Sequence, residues 1–267
     1  MLFVLLIGVI SSIDGASIVN GNHKATEPRL GDIPFQAGLM LRINQSYLTI
    51  CGGSLIHPRW VLTAAHCLEQ DGQFFPTKSM YVALGSIYTD GKGAQKIQAE
   101  TLVINKKYFE SGGGYDIGMI KLKTNAKLTR NVKLVRIHTN NDESLVGKTA
   151  YLTGFGIIND FNQQPIRMRK ATLHIDSPAK CLMSSSPYPE ICCTSTIVEG
   201  KACRGDSGGP LTVIQNGRYL QVGITSHLSV LPFCRISFNN SVYTRVSAYI
   251  AWISKVTGID FAKYNPN

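Results

Sequence analysis

Gly205-Asp206-Ser207-Gly208-Gly209-Pro210 leads without a break into Leu211–Ile214, a short β-branched run of a kind that recurs along the whole chain. Working outward, similar runs lie at Tyr47–Ile50, Trp60–Thr63, Met80–Leu84, Gln98–Val103, Ile117–Leu122, Thr149–Thr153, Met168–His174, Tyr219–Ile224 and Val242–Val246, each bounded by turn residues. Strands at this spacing, with no helical pattern between them, predict an all-β sandwich or barrel rather than βαβ units. One helical exception precedes Gly258: Val246, Tyr249, Ile250, Trp252 and Ile253 recur at three- and four-residue steps.

The chain has 267 residues, 44% hydrophobic and 16% charged, enough to bury a core as one large domain or two small ones, which excludes disorder. Its 25 Gly and 11 Pro carry no period, so collagen-like and repeat architectures are excluded as well. No apolar run beyond the N-terminus approaches the ~18 residues of a membrane span. The net charge of +10 favours acidic surfaces, but no basic and aromatic recognition motif accompanies it, so no nucleic-acid partner is expected. The run from Lys121 to Arg136 holds six cations and no acid, and it reads as a solvated connector between two halves.

Residues 3–10 are apolar and are followed by Ser11, Ser12, Gly15, Ala16 and Ser17, the layout of a secretory signal over residues 1–17. Secretion turns the seven cysteines into an expectation of disulfides with one thiol left over. Asn44-Gln45-Ser46 and Asn239-Asn240-Ser241 are glycosylation sequons available in that compartment.

Three segments carry the chemistry: Leu62-Thr63-Ala64-Ala65-His66-Cys67, Tyr115-Asp116-Ile117-Gly118-Met119-Ile120, and the glycine-flanked Ser207. Their order and spacing resemble the chymotrypsin/trypsin family of serine peptidases. The resemblance implies two six-stranded antiparallel β-barrels, residues 18–128 and 129–267, the second ending in a C-terminal helix. It also implies an endopeptidase with His66, Asp116 and Ser207 as catalytic residues. A serine hydroxyl is a weak nucleophile near neutral pH, so Ser207 needs a base, and imidazole is the side chain whose ordinary pKa suits the task. Asp116 would orient the ring, while the backbone amides of Gly205 and Ser207 would hold the oxyanion.

By the same resemblance Ser226 hydrogen-bonds Asp116, and Ile18 of Ile18-Val19-Asn20-Gly21 supplies a free amine that pairs with Asp206. Ser17 stands where a zymogen has Lys or Arg, so signal removal itself is expected to free Ile18. The family's cysteine framework pairs Cys51 with Cys67, Cys181 with Cys192 and Cys203 with Cys234. Cys193 is left over, or it replaces Cys192 as the partner of Cys181.

The specificity pocket departs from the trypsin pattern. Lys201 occupies the position of the carboxylate that binds a basic substrate side chain, so cleavage after Lys or Arg is not expected. Leu228 and Ser241 stand where glycines leave space, His227 replaces a tryptophan, and the stretch from Ser226 to Cys234 is longer. The pocket thus selects acidic residues, accepts only small ones, or is closed. A closed pocket would make the protein a binding paralogue, as among the inactivated relatives of mite trypsin-like allergens, which this sequence also resembles. No His-Glu-x-x-His or Cys-x-x-Cys spacing points to zinc, and Gly85–Ile97 offers only Asp90 to calcium, so no metal or cofactor is expected. His23, His57, His138 and His174 are scattered singly and read as structural. The expected partners are a polypeptide substrate or host protein and protein inhibitors of peptidases, with no membrane contact, and the expected state is a secreted monomer.

Overall fold

Trp60, Val61, Leu62 and Thr63 are all buried, an unbroken apolar run that a strand can hold only when both of its faces are covered. The computed structural model describes residues 25–158, 162–183, 186–194, 200–229 and 240–264. The expectations for the signal segment, Ile18, His23, Cys234 and Asn239 lie outside the described residues. In the first half the strands are β1 (Gln36–Ile43), β2 (Ser46–His57), β3 (Trp60–Thr63), a small hairpin β4 (Glu69–Gln70) and β5 (Gln73–Phe74), β6 (Met80–Leu84), β7 (Gln95–Ile104) and β8 (Gly118–Leu122). Antiparallel pairing in the order β1-β2-β3-β8-β7-β6 closes into a barrel, with Ala37 opposite Leu84 on the closing edge.

The second half contains β9 (Arg136–Ile137), β10 (Thr149–Gly154), β11 (Arg169–Asp176), β12 (Glu190–Thr194), β13 (Pro210–Gln215), β14 (Arg218–Leu228) and β15 (Ser241–Arg245). Its six antiparallel strands run β13-β10-β11-β12-β15-β14 and close through β13–β14, while β9 adds to β14 in parallel. Leu152, Leu173, Leu211, Val213, Val222 and Tyr243 fill this barrel. Among the described residues, no helix is long and apolar enough to cross a membrane.

One helical turn, α1 (Lys107–Glu110), precedes β8, and β15 is followed by a turn of 3-10 helix, Val246–Tyr249, and the helix α2 (Ile250–Thr257), stopped by Gly258 at φ +73° in the left-handed region. Val246, Tyr249, Ile253 and Phe261 of this segment are buried in the same cluster as Leu39, Leu55 and Ile120. The helix that follows the second barrel therefore completes the core of the first.

Each run read from the sequence overlaps a strand. β1, the hairpin, β9 and β12 were not among them. β1 carries Gly38, Leu39 and Met40, none of them β-branched, which weakens the strand signal. The reading of 121–136 as a wholly solvated connector is corrected as well. Lys121 belongs to β8 and bonds Glu100 at 2.7 Å, and Val132 and Val135 are buried.

Buried hydrogen bonds tie the barrels together: Ser54 Oγ donates to Gln221 Oε1, Thr153 Oγ1 to Gln36 Oε1, and Thr244 Oγ1 to the Asp116 carbonyl, at 2.6, 2.6 and 2.7 Å. Each bond of this kind is worth ~0.5–1.5 kcal/mol net, and leaving either partner unpaired costs more, so together they fix how the two halves dock.

Candidate active site

His66 sits in a single 3-10 turn, Ala65–Cys67, held from one side by the Cys51–Cys67 disulfide. Gly52, next along β2, donates its amide to the Ser207 carbonyl at 2.7 Å, so one short stretch of β2 anchors both the histidine turn and the serine turn. The approach is backbone to backbone: a Cβ on Gly52 would lie 2.9 Å from Gly209 Cα. The sulfurs of Cys51 and Cys67 lie near a His66 ring nitrogen, but both are spent in the disulfide and leave no thiolate to hold a metal.

Asp116 is 5% exposed and its carboxylate is gripped from three directions. The His66 amide donates to Oδ1 at 3.1 Å, the His66 ring meets Oδ2 through Nδ1 at 2.8 Å, and Ser226 Oγ donates to Oδ2 at 2.6 Å. Burial pushes the carboxyl pKa up, but the His66 charge and the bonds from His66 and Ser226 outweigh it and hold Asp116 below the usual aspartate range. Burial likewise pushes His66 down, and the charge and hydrogen bond of Asp116, with a smaller contribution from Glu69, outweigh it and raise His66 above 6.5. Ser226 reaches Asp116 because the β14–β15 register slips between Thr225 and His227, and the bulge turns its side chain out of the ladder.

Ser207 is half-buried. Among the described residues its Oγ makes no hydrogen bond, and the amides of Gly205 and Ser207 donate to no acceptor. Gly205 adopts φ +93° and Gly208 φ +76°, conformations that glycine reaches without strain. Asp206 between them is completely buried, accepting from the amides of Gly156 at 2.9 Å and Cys203 at 3.0 Å. Burial pushes its carboxyl up to about 7, against those two bonds.

Of the expected pocket residues, Leu228 and Ser241 come together. Leu228 stands opposite Ser241 across β14–β15 and packs on Ile157 and Cys203, while Ser241 Oγ accepts from the Ala202 amide at 3.1 Å. Lys201 is 9% exposed, and burial lowers its pKa. His227 is exposed, with Nδ1 3.2 Å from Ser226 Oγ. A cleft of ≈ 720 Å³ opens beside His66, Asp116, Ser226 and His227, walled by Gly112–Gly114 and Tyr188.

Cys181 bonds Cys192, which settles the alternative left open by the sequence. Consecutive strand residues face opposite ways, so Cys193 turns into the second core as a free thiol whose pKa burial raises. Cys203 is disulfide-bonded. Of the scattered histidines, His57 Nδ1 accepts from the Arg59 amide and His138 bonds Glu143 at 2.8 Å. Asn44 is exposed at φ +55° in the β1–β2 turn. Thr244, Tyr188 and the Gly156 amide carry no sequence signal: the first two reach the site through the docking of the barrels, and Gly156 reaches Asp206 through the folding of the second.

The family model Trypsin matches residues 18–253. A "Chymotrypsin" of Phaedon cochleariae is 36% identical over 241 residues, covering 88% of this chain and 80% of that one. "Chymotrypsin-like elastase family member 1" of Felis catus is 32% identical over 250 residues, 90% of each, and its counterpart in Canis lupus familiaris is 32% identical over 250 residues, 90% of this chain and 92% of that one. With two closed barrels, a short C-terminal helix and these relatives, the chain belongs to the chymotrypsin/trypsin-like family and is a serine endopeptidase.

Proposed function

We propose that the protein is a secreted serine endopeptidase working through Ser207, His66 and Asp116, with a restricted, non-tryptic pocket for the residue before the scissile bond. The observation that carries this reading is the alignment of Asp116 by His66 and Ser226, an arrangement that holds the imidazole with Nδ1 toward the carboxylate and leaves Nε2 free for proton transfer. Ser207 Oγ attacks the substrate carbonyl carbon as His66 Nε2 takes its proton. Negative charge moves to the carbonyl oxygen, which the amides of Gly205 and Ser207 receive. His66 then protonates the leaving amine, the C–N bond breaks, and an acyl-enzyme remains. Water repeats the sequence: His66 takes its proton, hydroxyl adds to the acyl carbon, and Ser207 leaves with the proton returned. Hydrogen bonds to the nucleophile are often loose before substrate binds, so an unbonded Ser207 is compatible with this role.

In the mature protein the Ile18 amine pairs with Asp206 and shapes the oxyanion turn, and signal cleavage after Ser17 frees it. The first barrel extends over 18–128 and the second, with the helix, over 129–267. Leu228 and Ser241 narrow the pocket, so small side chains fit best, and Lys201 repels a substrate Lys or Arg.

A fluorophosphonate probe tests the central reading: it should label the protein, and Ser207→Ala should abolish labelling. A folded, unlabelled protein would point instead to a binding paralogue. A substrate library varied at the residue before the cut tests the pocket and separates a preference for small side chains from one for acidic side chains. Strong cleavage after Lys or Arg refutes the pocket assignment. N-terminal sequencing of secreted protein should begin at Ile18.

A further inference from the structure

Tyr115, immediately before Asp116, has φ +56°, a left-handed conformation uncommon for an aromatic residue. The Ile117 amide bonds the Tyr115 carbonyl at 2.8 Å, so the chain makes a tight turn centred on Asp116 itself. The direction of the Asp116 side chain therefore depends on what holds Tyr115.

Three groups hold its ring. Tyr188, from the second barrel, meets it edge to face at 5.4 Å and 70°; Tyr249 does so at 6.3 Å and 89°; and Lys107 Nζ stands 5.0 Å from its centroid. Tyr188 also clamps the preceding turn. Its hydroxyl donates to the Ser111 carbonyl at 3.1 Å, and its ring lies where any side chain on residue 114 would be, with a Cβ on Gly114 falling 2.4 Å from it. Ser111 Oγ in turn donates to the Gly114 carbonyl at 2.8 Å, closing the turn on itself. The loop bearing Tyr188 is fixed from below, where the Arg245 amide of β15 donates to the Pro189 carbonyl at 2.9 Å.

We propose that Tyr188 and Tyr115 are positioning residues: Tyr188 of the second barrel clamps the 111–115 turn of the first and holds Tyr115 in its left-handed conformation, which aims the Asp116 carboxylate at His66. The inference rests on Asp116 orienting His66 as described above. It makes the wall of the cleft part of the catalytic alignment, so that the two barrels are joined at the aspartate as well as at the serine. It also gives Gly114 a reason: any larger residue expels the clamp.

His66 is faced by Asp116, Glu69, Ser226, His227 and Tyr108, and among these described residues Asp116 alone hydrogen-bonds its ring, so the His66 titration reports the aim of Asp116. The test is NMR titration of His66 in the mature protein, with fluorophosphonate labelling rate as a second readout. In Tyr188→Ala and in Tyr115→Asn, which removes the ring but tolerates positive φ, the His66 pKa should fall and labelling should slow about tenfold. Tyr115→Phe, which keeps the ring, should match the parent in both. An unchanged His66 titration in either folded ring-deleting variant overturns the proposal. Because titration needs no turnover, a parent that the probe fails to label sinks the peptidase reading while the His66 shift still decides the clamp.

Discussion

A form of the protein that retains Ser17 ahead of Ile18 should lose stability with rising pH where the form beginning at Ile18 does not. Asp206 is completely buried, and burial moves its carboxyl from 3.8 to about 7 despite the amides of Cys203 and Gly156. A displacement of about 3 units, at ~1.36 kcal/mol each, makes the ionised carboxylate about 4 kcal/mol less favourable in the folded chain than in the unfolded one. The sign follows from a folded pKa above the unfolded value: the stabilisation is complete below 3.8, where both states are protonated, and is lost as pH rises through about 7. A protonated amine at Ile18 removes that loss by neutralising the carboxylate. Urea unfolding of both forms at about pH 4 and about pH 7.5 should show their stability difference widening by roughly 3–4 kcal/mol. Parallel pH dependence of the two forms would refute the pairing of Ile18 with Asp206.

Asp116 raises His66 above 6.5, and His66 must be neutral to act as base, so kcat/KM should rise with pH through an inflection above 6.5. In Asp116→Asn burial is opposed only by the smaller effect of Glu69, so a pH-rate profile should place the inflection below 6.5, with kcat down by on the order of 10⁴. Replacing Leu228 and Ser241 together by glycine should increase cleavage after aromatic residues by roughly 10–100-fold in steady-state assays with matched peptides, and no change means that other side chains bound the pocket. Ile253→Ala empties a fully buried site in the first barrel's core, and denaturant unfolding should show a loss of about 2–5 kcal/mol.

How much could be read in advance follows from whether a feature is local. Runs such as Trp60–Thr63 and Met80–Leu84 coincide with their strands because branched and aromatic side chains suit a pleated surface. β1 and β12 escaped notice because glycine, leucine, methionine and cysteine carry no such signature, and these strands hold through their neighbours. The His66–Asp116 contact was legible from motifs and the Ser226 bond from a matched strand position, while the family resemblance implied Cys51–Cys67 but left Cys192 and Cys193 open as partners of Cys181. Thr244, Gly156 and Tyr188 were not legible: Gly156 meets Asp206 from a remote segment of the same barrel, and no spacing along the chain encodes how Thr244 and Tyr188 meet the opposite barrel.

The helix α2 and Phe261 lie in the core of the barrel that is synthesised first. During translation the core of that barrel therefore lacks these side chains until the last part of the chain has been made. A stop after Arg245 would spare the strands of both barrels yet strip Val246, Tyr249, Ile253 and Phe261 from the first core, loosening the half that carries His66 and Asp116. Completion of the half that carries His66 and Asp116 is coupled in this way to completion of the polypeptide.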